Sequence, residues 1–351
     1  MRNPKKQLEK NNRLPLQMNL QRFFSVAIRV RLWYTDRIRQ KRRSLMSVLY
    51  FFEKIRMPML NEFMLLITRF GEETAFLVAA LIVFWCVDKH KGYYVMAVGF
   101  IGTMANQFLK LACRIPRPWV LDPDFTILEQ AREAATGYSF PSGHSQNAVG
   151  TFGALAYTEK NGWLRKLWIA IAVLVPLSRM YVGVHTPADV LVGGGMALAL
   201  VFILKKPVLK QELKTMKLIL ALMLVMALGL FAYVEFWKFP ADVDSHNLQS
   251  GMKNAYTMLG CIIGTAVVYL AERKNVNFDT KAVWWAQILK AVLGLALVLA
   301  VKEGLRAPLE ALMGPGGELS ARAVRYFLIV VVAGLIWPMT FRWFSKLGVK
   351  K

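Results

Sequence analysis

Apolar positions along the chain gather into windows of about 15 to 20 residues separated by short polar connectors, with neither a period of two nor a sustained heptad. Candidate membrane-spanning helices fall near 46–68, 73–88, 93–111, 144–158, 163–181 and 187–204. Four more follow near 216–235, 255–271, 282–301 and 323–341. The pattern predicts an all-α, polytopic membrane helical bundle: a six-span core over 46–204, then about four extra C-terminal spans within 205–351. The first window is interrupted by Glu53, Lys54, Arg56 and Glu62, so an amphipathic helix lying along the interface is the alternative reading there.

Composition agrees with a chain whose main solvent is lipid: 56% of the 351 residues are hydrophobic. The formal charge of +23 raises nucleic acid as a partner, but the basic residues sit mostly in connectors, as in cytoplasmic loops of membrane proteins. No nucleic-acid partner is expected. Lys89 and Lys91, Lys160 to Lys166, Lys205 to Lys217, Arg273 to Lys281 and Arg342 onward fall on one side, which the positive-inside rule makes the cytoplasm. Residues 1–45 are densely basic, and the apolar run within 23–30 is too short for a secretory signal. A basic cytoplasmic arm is expected there, with a start at Met46 as the alternative. Cys86, Cys113 and Cys261 are widely spaced, which supports neither a zinc site nor a disulfide framework.

Three stretches place ionisable residues at the outer ends of the core windows, where they are costly without a function. They are 110–118, 141–144 and 178–189, and they supply Lys110, Arg117, Ser142, Gly143, His144, Arg179, His185 and Asp189. Three fixed cations, two imidazoles and one carboxylate suit a multiply charged anion, most simply phosphate, which arginine grips with a planar fork of donors. Ser142 and Gly143 would add a hydroxyl and an open backbone N–H just before a helix start. Asp189, four residues after His185, can orient the imidazole and leave one ring nitrogen free to attack phosphorus. His144 would serve as general acid and then base. No metal and no cofactor is required. Asp242, Asp244 and His246 cluster in an outer connector, where a solvated loop is the better reading than a metal site.

Lys110 followed after six residues by Arg117-Pro118, then Pro141-Ser142-Gly143-His144, then Ser178-Arg179 with His185 and Asp189, resembles the three-part signature of the type 2 phosphatidic acid phosphatase family. The resemblance covers about 46–204. It implies a membrane lipid phosphatase with His185 as the phosphorylated nucleophile, Asp189 as its partner and His144 as acid and base. Lys110, Arg117, Ser142, Gly143 and Arg179 would bind phosphate. The substrate would be a lipid phosphate or diphosphate, such as undecaprenyl diphosphate, phosphatidic acid or phosphatidylglycerol phosphate, met at the extracytoplasmic face of the cell membrane. A phosphotransferase using the same phosphohistidine, or a non-catalytic lipid-binding or transport protein, are the alternatives. The sequence leaves the oligomeric state and the role of 205–351 open.

Overall fold

The structure, a computed structural model, describes residues 46–347, and among them every regular element is helical. The basic arm expected at 1–45 lies outside the described residues. Two helices, α1 (46–54) and α2 (Pro58–Arg69), precede α3 (Glu73–Ile82), which continues as a π-turn to Val87. Then come α4 (Lys89–Cys113), the short α5 (Pro118–Leu121), α6 (Gly143–Thr158), α7 (Gly162–Tyr181), α8 (Pro187–Leu209) and α9 (Leu213–Phe236). The C-terminal part comprises α10 (Ser245–Ala271), α11 (Trp284–Gly304), α12 (Arg306–Met313), α13 (Glu318–Val331) and α14 (Phe341–Phe344).

Side-chain caps set several of these boundaries. Asp88 accepts from the N–H groups of His90 and Lys91 to start α4, Asn161 does the same for α7, and Asp244 accepts from Asn247 to start α10. Arg114, left-handed at φ 52°, ends α4 and turns the chain toward α5.

Among the described residues six helices are long and apolar enough to cross a membrane, or seven if α2 and α3, bent by 55° at their junction, count as one crossing. The protein is a multi-pass membrane protein. The expected spans at 144–158 and 163–181 are present as helices but miss that standard for identifiable reasons. Helix α6 has only 16 residues, about 24 Å at about 1.5 Å each, and α7 carries Arg165, Lys166 and Arg179. Helix α6 nevertheless packs along α4 and α8, and α7 packs along α6 and α2. At one end of them Lys91 Nζ bonds the Thr158 carbonyl; at the other, Gly71 meets His144.

The window at 46–68 behaves differently. It breaks at 55–57, where Met57 is extended and Pro58 begins a new helix. The hydrogen bonds of α1 and α2 go to a single end of the bundle. Tyr50 reaches Asp122, Arg56 bonds the carbonyls of Tyr181 and Thr126, and Asn61 accepts from the Tyr181 hydroxyl. Helix α1 and the start of α2 thus stay at that end, while α2 and α3 together are apolar enough to count as one bent crossing.

Helix α4 is the axis of the bundle. It touches α3, α6, α8, α9 and α10, and 72% of its most apolar window is buried, against 17% for α11 at the periphery. The exposed Leu191, Phe202, Leu218, Val225 and Val292 lie on the outer faces, where lipid is the solvent. Helices α10 and α13 approach to backbone contact. A Cβ on Gly260 would sit 2.1 Å from the Ala323 carbonyl oxygen, and one on Gly264 would sit 3.1 Å from that of Phe327.

Candidate active site

The turns that join core helices at one end of the bundle bring the three stretches together. Between α7 and α8 the chain reverses over five residues, with Gly183 left-handed at φ 88°. Thr186 then caps α8 in a reciprocal box: its hydroxyl accepts from the Asp189 N–H at 3.3 Å, and Asp189 Oδ2 accepts from the Thr186 N–H at 2.8 Å. The same oxygen accepts from Ser139 Oγ at 2.6 Å and lies 3.5 Å from His185 Nδ1. One carboxylate oxygen thus caps a helix and faces an imidazole.

Arg117 closes the other side of that imidazole. Its Nη1 is 2.9 Å from His185 Nε2. Nη1 also lies 3.5 Å from Nδ1, so the guanidinium sits over the ring face, and Asp189 Oδ2 on the Nδ1 side can accept a ring proton held there. The remaining Arg117 donors go to the carbonyls of Thr136 at 2.7 Å, Gly137 at 3.2 Å and Val184 at 3.1 Å. Lys110 Nζ donates to the neighbouring Tyr138 carbonyl. The carbonyls of 136–138 therefore hold both cations, with Val184 in the turn before α8 adding one more acceptor for Arg117. The His185 imidazole, in the loop ahead of α8, is held well below the ordinary histidine range, first by burial and then by Arg117, Arg179, Lys110 and His144.

The second stretch is locked to the third through the backbone. Ser142 N–H donates to the Asp189 carbonyl at 2.9 Å. The approach requires a glycine, because a Cβ on Gly193 would lie 2.4 Å from the Ser142 carbonyl oxygen. The Ser142 hydroxyl, expected to meet the anion, is buried and turned toward its own helix, where it accepts from the Ser145 N–H at 3.3 Å. It is the N-cap of α6, and the cap requirement wins over an outward pose. Gly143 and His144, in the first turn of α6, do face the cavity, with the positive end of the helix behind them.

The cavity measures about 770 Å³ and is bordered by Lys110, Arg117, Gly143, His144 and His185. Arg179 and Asp189 sit behind this wall, fully buried. Arg179 Nη1 donates to Thr68 Oγ1 at 2.7 Å, while its Nε and Nη2, like His144 Nε2, are buried without a hydrogen-bond partner. Buried donors without a partner are expensive. Sequence reasoning missed Ser139 and Thr68, which hold Asp189 and Arg179. Neither had a signal beyond being polar near a motif or at the end of an apolar window. It also missed Ser250, Lys253, Asn254 and Arg322, which border the same cavity from α10 and α13. Among the described residues no group of three or more His, Cys, Asp or Glu could hold a metal ion, and Asp244 serves as the N-cap of α10.

A family model described as the PAP2 superfamily matches residues 90–212. A second, described as a PAP2 superfamily phosphatase, transmembrane extension, matches 256–350. Phosphatidylglycerophosphatase B of Bacillus subtilis (strain 168) is 34% identical over 166 residues, covering 43% of this chain and 76% of that protein. The chain belongs to the PAP2 superfamily. Two further relatives are undecaprenyl-diphosphatases. An undecaprenyl-diphosphatase of Sulfolobus acidocaldarius is 31% identical over 135 residues, covering 38% of this chain and 64% of the relative. The undecaprenyl-diphosphatase BcrC of Bacillus subtilis is 31% identical over 109 residues, covering 31% and 52%. Among solved structures, the transmembrane PAP2-type phosphatidylglycerolphosphate phosphatase of Bacillus subtilis is 27% identical. It matches 54% of this chain and 97% of its own, with a TM-score of 0.41. The PAP2 match ends near the end of α8, and the extension match begins within α10.

Proposed function

We propose that this PAP2 protein hydrolyses the terminal phosphate of a lipid phosphate or diphosphate through a phosphohistidine, without a metal, at the extracytoplasmic face of the cell membrane. Lipid-phosphate hydrolysis is the activity named for its relatives. The observation that carries the mechanism is the placement of His185: it borders the cavity beside Arg117 and its Nδ1 faces Asp189 Oδ2 at 3.5 Å, so a proton held on Nδ1 leaves Nε2 free to attack. A substrate phosphate has to take Arg117 away from Nε2, which exchanges a resting contact for a charge-assisted one and uncovers the nucleophile in the same movement. Lys110 and Arg117 then grip phosphoryl oxygens, and the unpaired Nε and Nη2 of Arg179 supply donors deeper in the site.

Bond making follows from that arrangement. His185 Nε2 attacks phosphorus, the bond from phosphorus to the leaving oxygen breaks, and His144 gives that oxygen its proton. Asp189 stabilises the charge that develops on the His185 ring. His144 next takes a proton from water, the hydroxide oxygen bonds phosphorus, and the N–P bond breaks to release phosphate and restore the lone pair. In this reading the charge spread over the equatorial oxygens is met by three protein cations and the α6 N-terminus, so no metal is called for. Isoprenoid diphosphates, phosphatidic acid and phosphatidylglycerol phosphate all fit the chemistry.

Phosphate release by the purified protein over a panel of lipid phosphates, with chelator present and His185→Ala alongside, tests the proposal. Activity that survives chelator and falls at least about 10³-fold in the variant is expected. Activity lost in chelator contradicts the metal-free step, and activity retained by His185→Ala removes the nucleophile assignment.

A further inference from the structure

The C-terminal helices reach the candidate active site. On α10, Ser250, Lys253 and Asn254 border the cavity that contains His144 and His185, and Thr257 follows on the same helical face. Thr257 Oγ1 accepts from Arg322 Nε at 2.7 Å, and Arg322 is itself a wall residue, contributed by α13. The close crossing at Gly260 and Gly264 makes that reach possible. The stripe starts beside the phosphate cations: a Cβ on Gly137 would lie 3.8 Å from Lys110 Cδ and 3.9 Å from Ser250 Oγ. From there it descends toward the middle of the bundle, with Thr257 about 10 Å below Ser250 along the helix axis.

Charge decides what such a stripe recognises. Five lysines and arginines border the cavity (Arg69, Lys110, Arg117, Lys253 and Arg322) against three carboxylates (Glu72, Glu73 and Glu133), so it remains cationic beyond the motif residues. Glu73 influences Arg322 electrostatically, yet the two form no ion pair within 4 Å. Arg322 bonds Thr257 through Nε and its guanidinium lies 5.3 Å from the Tyr326 ring centroid, which leaves its Nη atoms and Lys253 Nζ for an anion. Lys253 is exposed and Arg322 half-buried, and both border the cavity.

Resting on the phosphatase reading above, we propose that Lys253 and Arg322, with Ser250 and Asn254 beside them, form a second anion subsite. It takes a phosphate group of the lipid that lies between the scissile phosphate and the hydrocarbon tail. Two headgroup chemistries supply such a group: the inner phosphate of a diphosphate, and the phosphodiester of a glycerol-bridged phospholipid phosphate. The transmembrane extension is then part of the substrate site.

The test uses full-length Lys253→Ala, Arg322→Gln and the double variant, with Arg322→Lys as the conservative control. They are assayed in detergent on an isoprenoid diphosphate, on phosphatidylglycerol phosphate and on phosphatidic acid, which has one phosphate only. Loss of a charge-assisted contact predicts about a tenfold or larger fall in kcat/KM on at least one two-phosphate lipid. Phosphatidic acid should change by less than about threefold, and Arg322→Lys should recover part of the loss. Which two-phosphate lipid falls identifies the source of the anion. Equal loss on all three lipids, or none on either two-phosphate lipid, overturns the subsite while leaving the phosphatase intact. A parent protein that acts on phosphatidic acid alone also overturns it. A parent protein inactive on all three brings down the underlying reading instead.

Discussion

His185 rests with its attacking nitrogen against a cation, and this governs how the site should respond to acid. Burial and four positive or partly positive neighbours lower its proton affinity. The ring therefore stays neutral at pH values where an unperturbed histidine, near about 6.5, is half protonated. The acid limb of kcat/KM, which reports the free enzyme, should accordingly lie below that value. Replacing Arg117 with Gln removes the largest of those charges, so the limb of the residual activity should move upward; a limb that stays in place separates Arg117 from His185. His144→Ala should lower kcat by about 10²- to 10⁴-fold, and a substrate with a leaving group acidic enough to depart unprotonated should recover much of that loss. The types and order of Lys110, Arg117, His144, Arg179, His185 and Asp189 were all legible in the sequence, because chemistry restricts which residues can do these jobs. The pose of Ser142 was not. A serine before a glycine can turn outward to a ligand or inward to its own helix, and only the packed Ser145 and Asp189 decide between them.

Helices deliver these side chains through contacts that glycine alone allows. A methyl group on Gly193 would meet the Ser142 backbone at 2.4 Å, with no flexible atom able to yield. Gly193→Ala should therefore destabilise the protein by about 1–3 kcal/mol and reduce turnover, read by thermal unfolding in detergent and by phosphate release. Gly229→Ala is the matched control, since nothing lies within 4 Å of its added carbon, and it should leave both unchanged. The apolar windows foretold most of these helices, because burying about twenty residues in lipid leaves the backbone few alternatives. They foretold 46–68 less well. Length and mean apolarity there resemble a single span, but Pro58 breaks the helix, and its second piece joins α3 across a 55° bend. The polar stripe at 250, 253, 254 and 257 was present in the sequence at helical spacing. It drew no notice because its meaning depends on Arg322, which is far away along the chain and adjacent only after α13 crosses α10.

For the molecule as a whole, the connectors read as cytoplasmic gather at one end. Lys89, Lys160, Lys205 and Arg273 belong to the end opposite His185, joined across it by bonds such as Lys89 Nζ to Glu272 at 2.9 Å and Arg273 Nη1 to the Gln211 carbonyl at 2.9 Å. If that end is cytoplasmic, a cysteine placed at exposed Glu129 should label from outside intact cells. One at exposed Lys160 should label only after permeabilisation, with Cys86 replaced to lower background. The reverse pattern would invert the orientation.

The hydrogen bond from Ser142 N–H to the Asp189 carbonyl has a mechanical consequence. It rivets the first turn of α6 to the first turn of α8, so His144 and the Asp189 that faces His185 travel as one piece. Any rocking of the bundle that admits a lipid must take place around this joint rather than through it. The spacing between His144 and His185 is then a fixed gauge, and selectivity is left to walls that can move past it.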